Sequence, residues 1–180
     1  TKRGLWVDYA LRGDVLMEQG RLDEAIPAYQ TMMDQKPCPQ AYTRAAHMRW
    51  LKGDLAGAIE LMQMAAGDDE WARARLAFYE FQAGNFEKAQ ALVNQSDYPP
   101  AQLVRGRILL AAGKPADAIE PLKRAAQATL LPEYLWALDE AQRAAGQMDE
   151  AGITENILEQ RGAQEDPRTR AQAGPRAGMR

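Results

Sequence analysis

A chain of 180 residues, 46% apolar and 26% charged, carries enough core-forming side chains to fold, and its net charge of −3 gives it no global reason to bind nucleic acid. The single cysteine, Cys38, excludes an intramolecular disulfide and a multi-cysteine metal site, and the single histidine, His47, lacks the companion ligands of a zinc site. No stretch approaches the roughly 20 uninterrupted apolar residues that a membrane-spanning helix needs, so membrane insertion is not expected.

Along the chain one short phrase recurs: Gly20-Arg-Leu-Asp-Glu-Ala25, Gly53-Asp-Leu-Ala-Gly-Ala58, Gly84-Asn-Phe-Glu-Lys-Ala89, Gly113-Lys-Pro-Ala-Asp-Ala118 and Gly146-Gln-Met-Asp-Glu-Ala151. The alanines step by 33, 31, 29 and 33 residues, which marks stacked supersecondary units. In each phrase a glycine just past a helix end can take the left-handed conformation that closes the helix. Acidic residues such as Asp23, Glu24, Asp117, Asp149 and Glu150 follow in the first turn of the next helix, where the helix dipole favours negative charge. The small alanine lets two helices approach closely, and Tyr29, Met62, Val93 and Leu122, a turn later, continue a buried stripe. About a dozen helical residues precede each glycine, and Pro37, Pro39, Pro99, Pro100 and Pro132 punctuate the far ends. Each unit therefore reads as helix, turn, helix, with strand content near zero. Pro27 and Pro121 fall inside second helices, where bends are expected.

This arrangement resembles the tetratricopeptide repeat, whose pattern runs Trp-x2-Leu-Gly-x2-Tyr, then Ala-x3-Phe, then Pro. The first unit matches through Tyr9, Gly13 and Leu16, then Ala25 and Tyr29, ending at Pro37; the fourth matches through Gly106, Leu109, Ala118 and Leu122. The resemblance implies an all-α, right-handed α-solenoid of about five helix-turn-helix repeats, approximately 6–38, 39–69, 70–98, 99–131 and 132–161. Residues 162–180, rich in Arg, Gly and Pro, read as a tail or the truncated start of further repeats. First helices depart from the pattern at Arg12, Arg49, Arg73, Glu80, Asp139 and Gln142, and Glu155 replaces the large apolar residue of the fifth second helix, which suits a water-facing terminal helix. The 29-residue step is short by about one and a half helical turns, so a change of superhelical pitch is expected near Ser96 to Pro100. The chain starts at Thr1 without a methionine and reads as part of something longer, similar to stretches of bacterial multi-repeat proteins.

In a solenoid of this family the first helices line the concave face. Counting back from each glycine places Ala10, Asp14, Met17; Thr43, His47, Trp50; Ala74, Phe78, Phe81; Leu103, Arg107, Leu110; and Trp136, Glu140, Arg143 on that face, with Arg44, Trp71 and Arg75 beside them. The candidate groove is Arg44, His47, Trp50, Trp71, Arg75, Phe78, Arg107, Trp136, Glu140 and Arg143. There the aromatics would anchor a peptide or helix of a partner protein, and the arginines would meet an acidic or carboxylate-bearing ligand. The same aromatics can equally be core, and the same arginines ordinary surface charges. The family's carboxylate clamp is not reproduced, since Ala10 and Asp14 stand where it needs lysine and asparagine, and only Arg75 matches. No nucleotide-binding, metalloprotease or hydrolase motif is present, and Cys38 lies between two prolines, so the chain reads as a binding module without cofactor or metal. Self-association through terminal helices, the first of which carries Leu5, Trp6 and Tyr9, is the alternative; an RNA-binding helical repeat ranks below both.

Overall fold

A computed structural model of the chain describes residues 5–67, 69–129 and 131–163. The remainder of the arginine-bearing segment, residues 164–180, lies outside the described residues. Ten helices and no strand occur among the described residues: α1 (Trp6–Glu18), α2 (Leu22–Gln35), α3 (Pro39–Leu51), α4 (Leu55–Ala66), α5 (Glu70–Gln82), α6 (Phe86–Val93), α7 (Pro99–Ala111), α8 (Pro115–Thr129), α9 (Pro132–Ala144) and α10 (Met148–Gln160).

Each recurring phrase is the turn inside a helix pair. Gly20, Gly53, Gly84, Gly113 and Gly146 have φ between 71° and 82°, a conformation that costs a side-chain-bearing residue but not glycine. No neighbouring atom would meet a Cβ at these positions, so backbone conformation and not space selects the glycine. The freed carbonyls of the first helix are satisfied by a Schellman pattern: the N–H of Gly20 reaches the Met17 carbonyl at 2.9 Å and that of Arg21 the Leu16 carbonyl at 2.9 Å, and the other four turns repeat both bonds. Helix starts have their own chemistry. Asp54 and Asp69 accept the Gly57 and Ala72 N–H groups at 2.9 Å, and Pro39, Pro99 and Pro132 open α3, α7 and α9, where a missing N–H costs nothing. Both α2 and α8 continue through Pro27 and Pro121.

The phrase alanines Ala25, Ala58, Ala89, Ala118 and Ala151 are fully buried, as are Tyr29, Met62, Val93 and Leu122 or nearly so. Their large side chains fill seats left by small residues seven positions before the turn glycine. Tyr29 lies on Gly13, Leu122 lies on Gly106, and Met62 shares a core cluster with Ala46. In the fifth pair the two positions hold Asp139 and Glu155, and Arg143 bridges them at 2.9 and 2.8 Å. The polar residues on first helices resolve differently one by one. Arg12 and Arg49 are exposed, whereas buried Glu80 accepts from Asn85 Nδ2 at 2.7 Å and buried Gln142 accepts from Thr154 Oγ1 at 2.8 Å.

The chain divides into two compact units, residues 1–94 and 95–180. In the first, α1 to α6 form three pairs, with α2 packed on α3 and α4 on α5. One core cluster there joins Leu16, Tyr29, Met32 and Met48, and another joins Met62, Leu76 and Tyr79. In the second, α7 to α10 form two pairs, with α8 packed on α9 around Leu122, Tyr134, Leu135 and Leu158. The short 29-residue step is located in α6, which has 8 residues where α8 has 15.

Candidate functional site

Gln40, Arg44 and His47 recur on α3 at spacings of four and three, and Trp71 and Arg75 recur on α5 at a spacing of four, so each set shares one helix face. With Thr43 of α3, Met17 of α1 and Tyr29 of α2, these faces line a cleft of about 310 Å³ in the first unit. Four of the candidates read from sequence, Arg44, His47, Trp71 and Arg75, are therefore brought together.

The two arginines of this cleft differ in their pairing. Arg44 holds Asp14 with two bonds, Nε to Oδ1 at 2.9 Å and a terminal nitrogen to Oδ2 at 3.2 Å, while the Tyr29 hydroxyl donates to Asp14 Oδ1 at 2.7 Å. Burial pushes the Asp14 carboxyl up, but the hydrogen bonds from Arg44 and Tyr29 outweigh it and hold the group below its ordinary value. Burial and then the bond to Asp14 raise the Tyr29 phenol, which stays protonated. Arg75 makes no ion pair among the described residues; its guanidinium lies 5.6 Å from the centre of the exposed Trp71 ring.

His47 sits between these groups. Its ring is tilted against Trp50 at 5.6 Å, and its Nδ1 is buried without a hydrogen-bond partner. Burial, and then the charge of Arg75, lower its pKa from 6.5, so the neutral imidazole is favoured. Trp50 and Phe78, offered by sequence as anchors, form an edge-to-face pair at 5.6 Å and pack against the core cluster containing Tyr79. They back the cleft and do not line it. Gln40 and Tyr29 were absent from the sequence candidates. Gln40 could have been found, because it and Trp71 both stand thirteen residues before their turn glycines; Tyr29 was assigned wholly to the core, and its hydroxyl reaches beyond it.

In the second unit, Trp136 lines a separate cleft of about 400 Å³ with Asp139, Glu155, Leu158, Glu159 and Ala163. Arg143 is tied to two of these carboxylates. Glu140 is exposed on α9 and Arg107 half-buried on α7, and neither lines that cleft. No group of three or more His, Cys, Asp or Glu able to hold a metal occurs among the described residues. Cys38 precedes the first residue of α3, and His47 is nine residues on, about 13 Å along the helix at 1.5 Å per residue. That separation removes a thiol–imidazole pair.

A profile of the family described as tetratricopeptide repeat matches residues 11–74 and again 74–132, more than half of the chain. Among solved structures, the chain is similar to TTC0263, a thermophilic tetratricopeptide protein of Thermus thermophilus, with 23% identity, 94% of this chain and 98% of that one covered, and a TM-score of 0.76. It is also similar to a chain of the APC/C hetero-tetramer Cut9–Hcn1 (17% identity, TM-score 0.76, covering 85% of this chain and 33% of that one). Pseudomonas aeruginosa pilF is a third (16% identity, TM-score 0.74, covering 91% and 78%). At these identities the likeness is one of fold. No curated protein matches the sequence significantly.

Proposed function

The chain belongs to the tetratricopeptide repeat family, a fold that generally mediates protein–protein interaction, and from that premise we propose that it is a non-catalytic scaffold whose first unit binds an acidic segment of a partner protein in the cleft of α1, α3 and α5. The observation that carries this reading is Arg75, a cation with no carboxylate partner among the described residues, held over Trp71 at the mouth of a largely apolar cleft. An unpaired guanidinium beside an exposed indole offers a ligand one charge-assisted hydrogen bond and one apolar anchor. Arg44 has a different role. Its charge is met by Asp14, so it positions α3 against α1 and shapes the cleft wall. The similar chain of the Cut9–Hcn1 structure stands in a hetero-tetramer, which is the kind of use proposed here.

The test is selection from a randomised peptide library on the immobilised full chain, followed by fluorescence anisotropy with the enriched peptides. Enrichment of sequences with Asp or Glu next to an apolar residue, and loss of their binding in Arg75→Glu with helicity unchanged, is the expected result. Enrichment indifferent to acidic residues, or equal binding by Arg75→Glu, refutes the assignment.

A further inference from the structure

The first helices of the first unit repeat one pairing register. Arg44 stands nine residues before its turn glycine, Gly53, and bonds Asp14, which stands six before Gly20. Advanced by one helix pair, the same two registers hold Arg75, nine before Gly84, and His47, six before Gly53. The cation is kept and the carboxylate is exchanged for an imidazole. With no carboxylate at the matching position, the Arg75 guanidinium lies against Trp71, and its charge acts on His47 across the cleft that both line. The hydroxyl that supports Asp14 has no counterpart either, since Met62 stands in α4 where Tyr29 stands in α2. The layer of α3 and α5 therefore gathers two unmet groups at one place, the Arg75 guanidinium and a buried His47 Nδ1 without a hydrogen-bond partner.

We propose that an aspartate or glutamate side chain of the partner segment completes this layer, seated between Arg75 and His47 as Asp14 is seated against Arg44, and that His47 takes up a proton as the carboxylate binds. This rests on the reading of the cleft proposed above and deepens it, because the acidic segment is then sensed by α3 as well as α5 and is held more tightly as pH falls. A carboxylate only accepts hydrogen bonds; a neutral imidazole offers it one N–H, and an imidazolium offers a charge as well. The surroundings of His47 leave that change to the ligand. From α1, Asp14 is already held by Arg44 and Tyr29, and the Tyr29 phenol of α2 stays protonated. The α4 helix shares the core with α3 through Ala58 and Met62, and its one charged residue, Glu60, is exposed. Burial, and then the Arg75 charge from α5, favour the neutral ring, while burial keeps the Tyr79 phenol of α5 protonated. A bound carboxylate offsets Arg75 and sets an anion beside the ring, so His47 titrates higher in the complex than in the free chain. Between those two values binding takes up a proton, and affinity grows as pH falls through that window.

The probe is the acetylated and amidated peptide Gly-Asp-Leu-Gly, with Gly-Asn-Leu-Gly as its uncharged control. Each is titrated into the full chain from about pH 8 to about pH 6, with the single imidazole followed by NMR. The aspartate peptide is expected to raise the His47 titration and to bind about threefold more tightly at the lower pH, while the asparagine peptide leaves the titration in place. His47→Asn removes the gain at low pH. His47→Asp builds the missing carboxylate into the layer: it raises the urea midpoint above that of His47→Asn at the higher pH, loses that difference when combined with Arg75→Gln, and shuts out the peptide. Binding that depends on Arg75 but is equal at both pH values, with the His47 titration unmoved, overturns this inference and leaves the acidic-segment reading standing. An aspartate peptide that does not bind, or that binds Arg75→Glu equally, overturns both. A His47→Asp chain no more stable than His47→Asn refutes the matched seat.

Discussion

Gly106→Ala is the sharpest test of the packing that defines each helix pair. In an exposed helix interior this exchange stabilises by about 1 kcal/mol, because alanine restricts the unfolded chain and favours the helix. Here a Cβ on Gly106 would lie 2.5 Å from Leu122 Cδ2 and 3.0 Å from Cδ1, and closer still to Cγ. Ordinary carbon contacts begin near 3.4 Å, and Cγ is a branch point near the backbone that cannot swing aside as a chain end can. Overpacking of this kind costs about 3 kcal/mol, the upper end of its usual range, so the net effect is a destabilisation of about 2 kcal/mol. The third pair shows the remedy, since Ala77 and Val93 occupy the matching registers and are both fully buried. Leu122→Val alone should cost about 1 kcal/mol through the cavity it leaves, but combined with Gly106→Ala it should recover most of the loss. Urea unfolding followed by circular dichroism, with slopes compared between variants, gives the four corners of the cycle. A stabilised Gly106→Ala, or additive effects of the two changes, would refute the seat.

His47 is the only histidine, so its imidazole proton can be followed by NMR without assignment; it is expected to titrate below 6.5 and to move up in Arg75→Gln, which removes the second cause of its shift. Because the folded state then binds fewer protons than the unfolded one, stability should fall as pH drops from about 6.5 through the folded value, less steeply in His47→Gln, as measured by urea midpoints; a titration at or above 6.5 contradicts this. Asp14→Asn should cost less than about 1 kcal/mol, the range of a half-exposed ion pair, whereas Asp14→Ala should cost about 1 kcal/mol more by stranding the Tyr29 hydroxyl; equal losses would deny the Tyr29 bond. The lowered Asp14 carboxyl contributes stability above 3.8 that disappears as pH falls through its folded value, and the acid limb of the urea midpoint should lose that component in Asp14→Asn. Thr154→Val should destabilise by about 1–2 kcal/mol by leaving buried Gln142 without its donor, and Thr154→Val with Gln142→Leu should regain part of it in the same assay.

The helix pairs were legible because their turns are written in local chemistry. A left-handed glycine, an acidic first turn and a small alanine act over six residues, and nothing distant has to be known to read them. The prolines were less transparent. Pro39, Pro99 and Pro132 are the first residues of α3, α7 and α9 and not the close of the preceding helices, a distinction that rests on which side of the proline has a free N–H to lose. Site residues were legible as far as helix register extends, which brought Arg44, His47, Trp71 and Arg75 together. Register says which face a side chain occupies but not what it touches. That Arg44 is spoken for by Asp14, thirty residues earlier, and that Trp50 and Phe78 turn into the core against Tyr79, depend on the distance between neighbouring pairs, which no single helix encodes.

The difference between Arg44 and Arg75 has a consequence for selectivity. A ligand carboxylate reaching Arg44 must displace one that is covalently tethered, doubly bonded and also held by Tyr29, so it competes against a partner already in place. At Arg75 there is only the face of Trp71 to leave, a weaker interaction than a paired charge in a partly dry cleft. A carboxylate there also faces His47, whose buried Nδ1 has no partner and whose imidazole is kept neutral partly by Arg75 itself. Neutralising Arg75 removes that repulsion, so the same event that satisfies the arginine makes a protonated His47 easier to hold. On the proposed reading of this cleft, charge selectivity would be concentrated on α5, while the ion pair between α1 and α3 would supply the wall against which an apolar neighbour of the carboxylate rests.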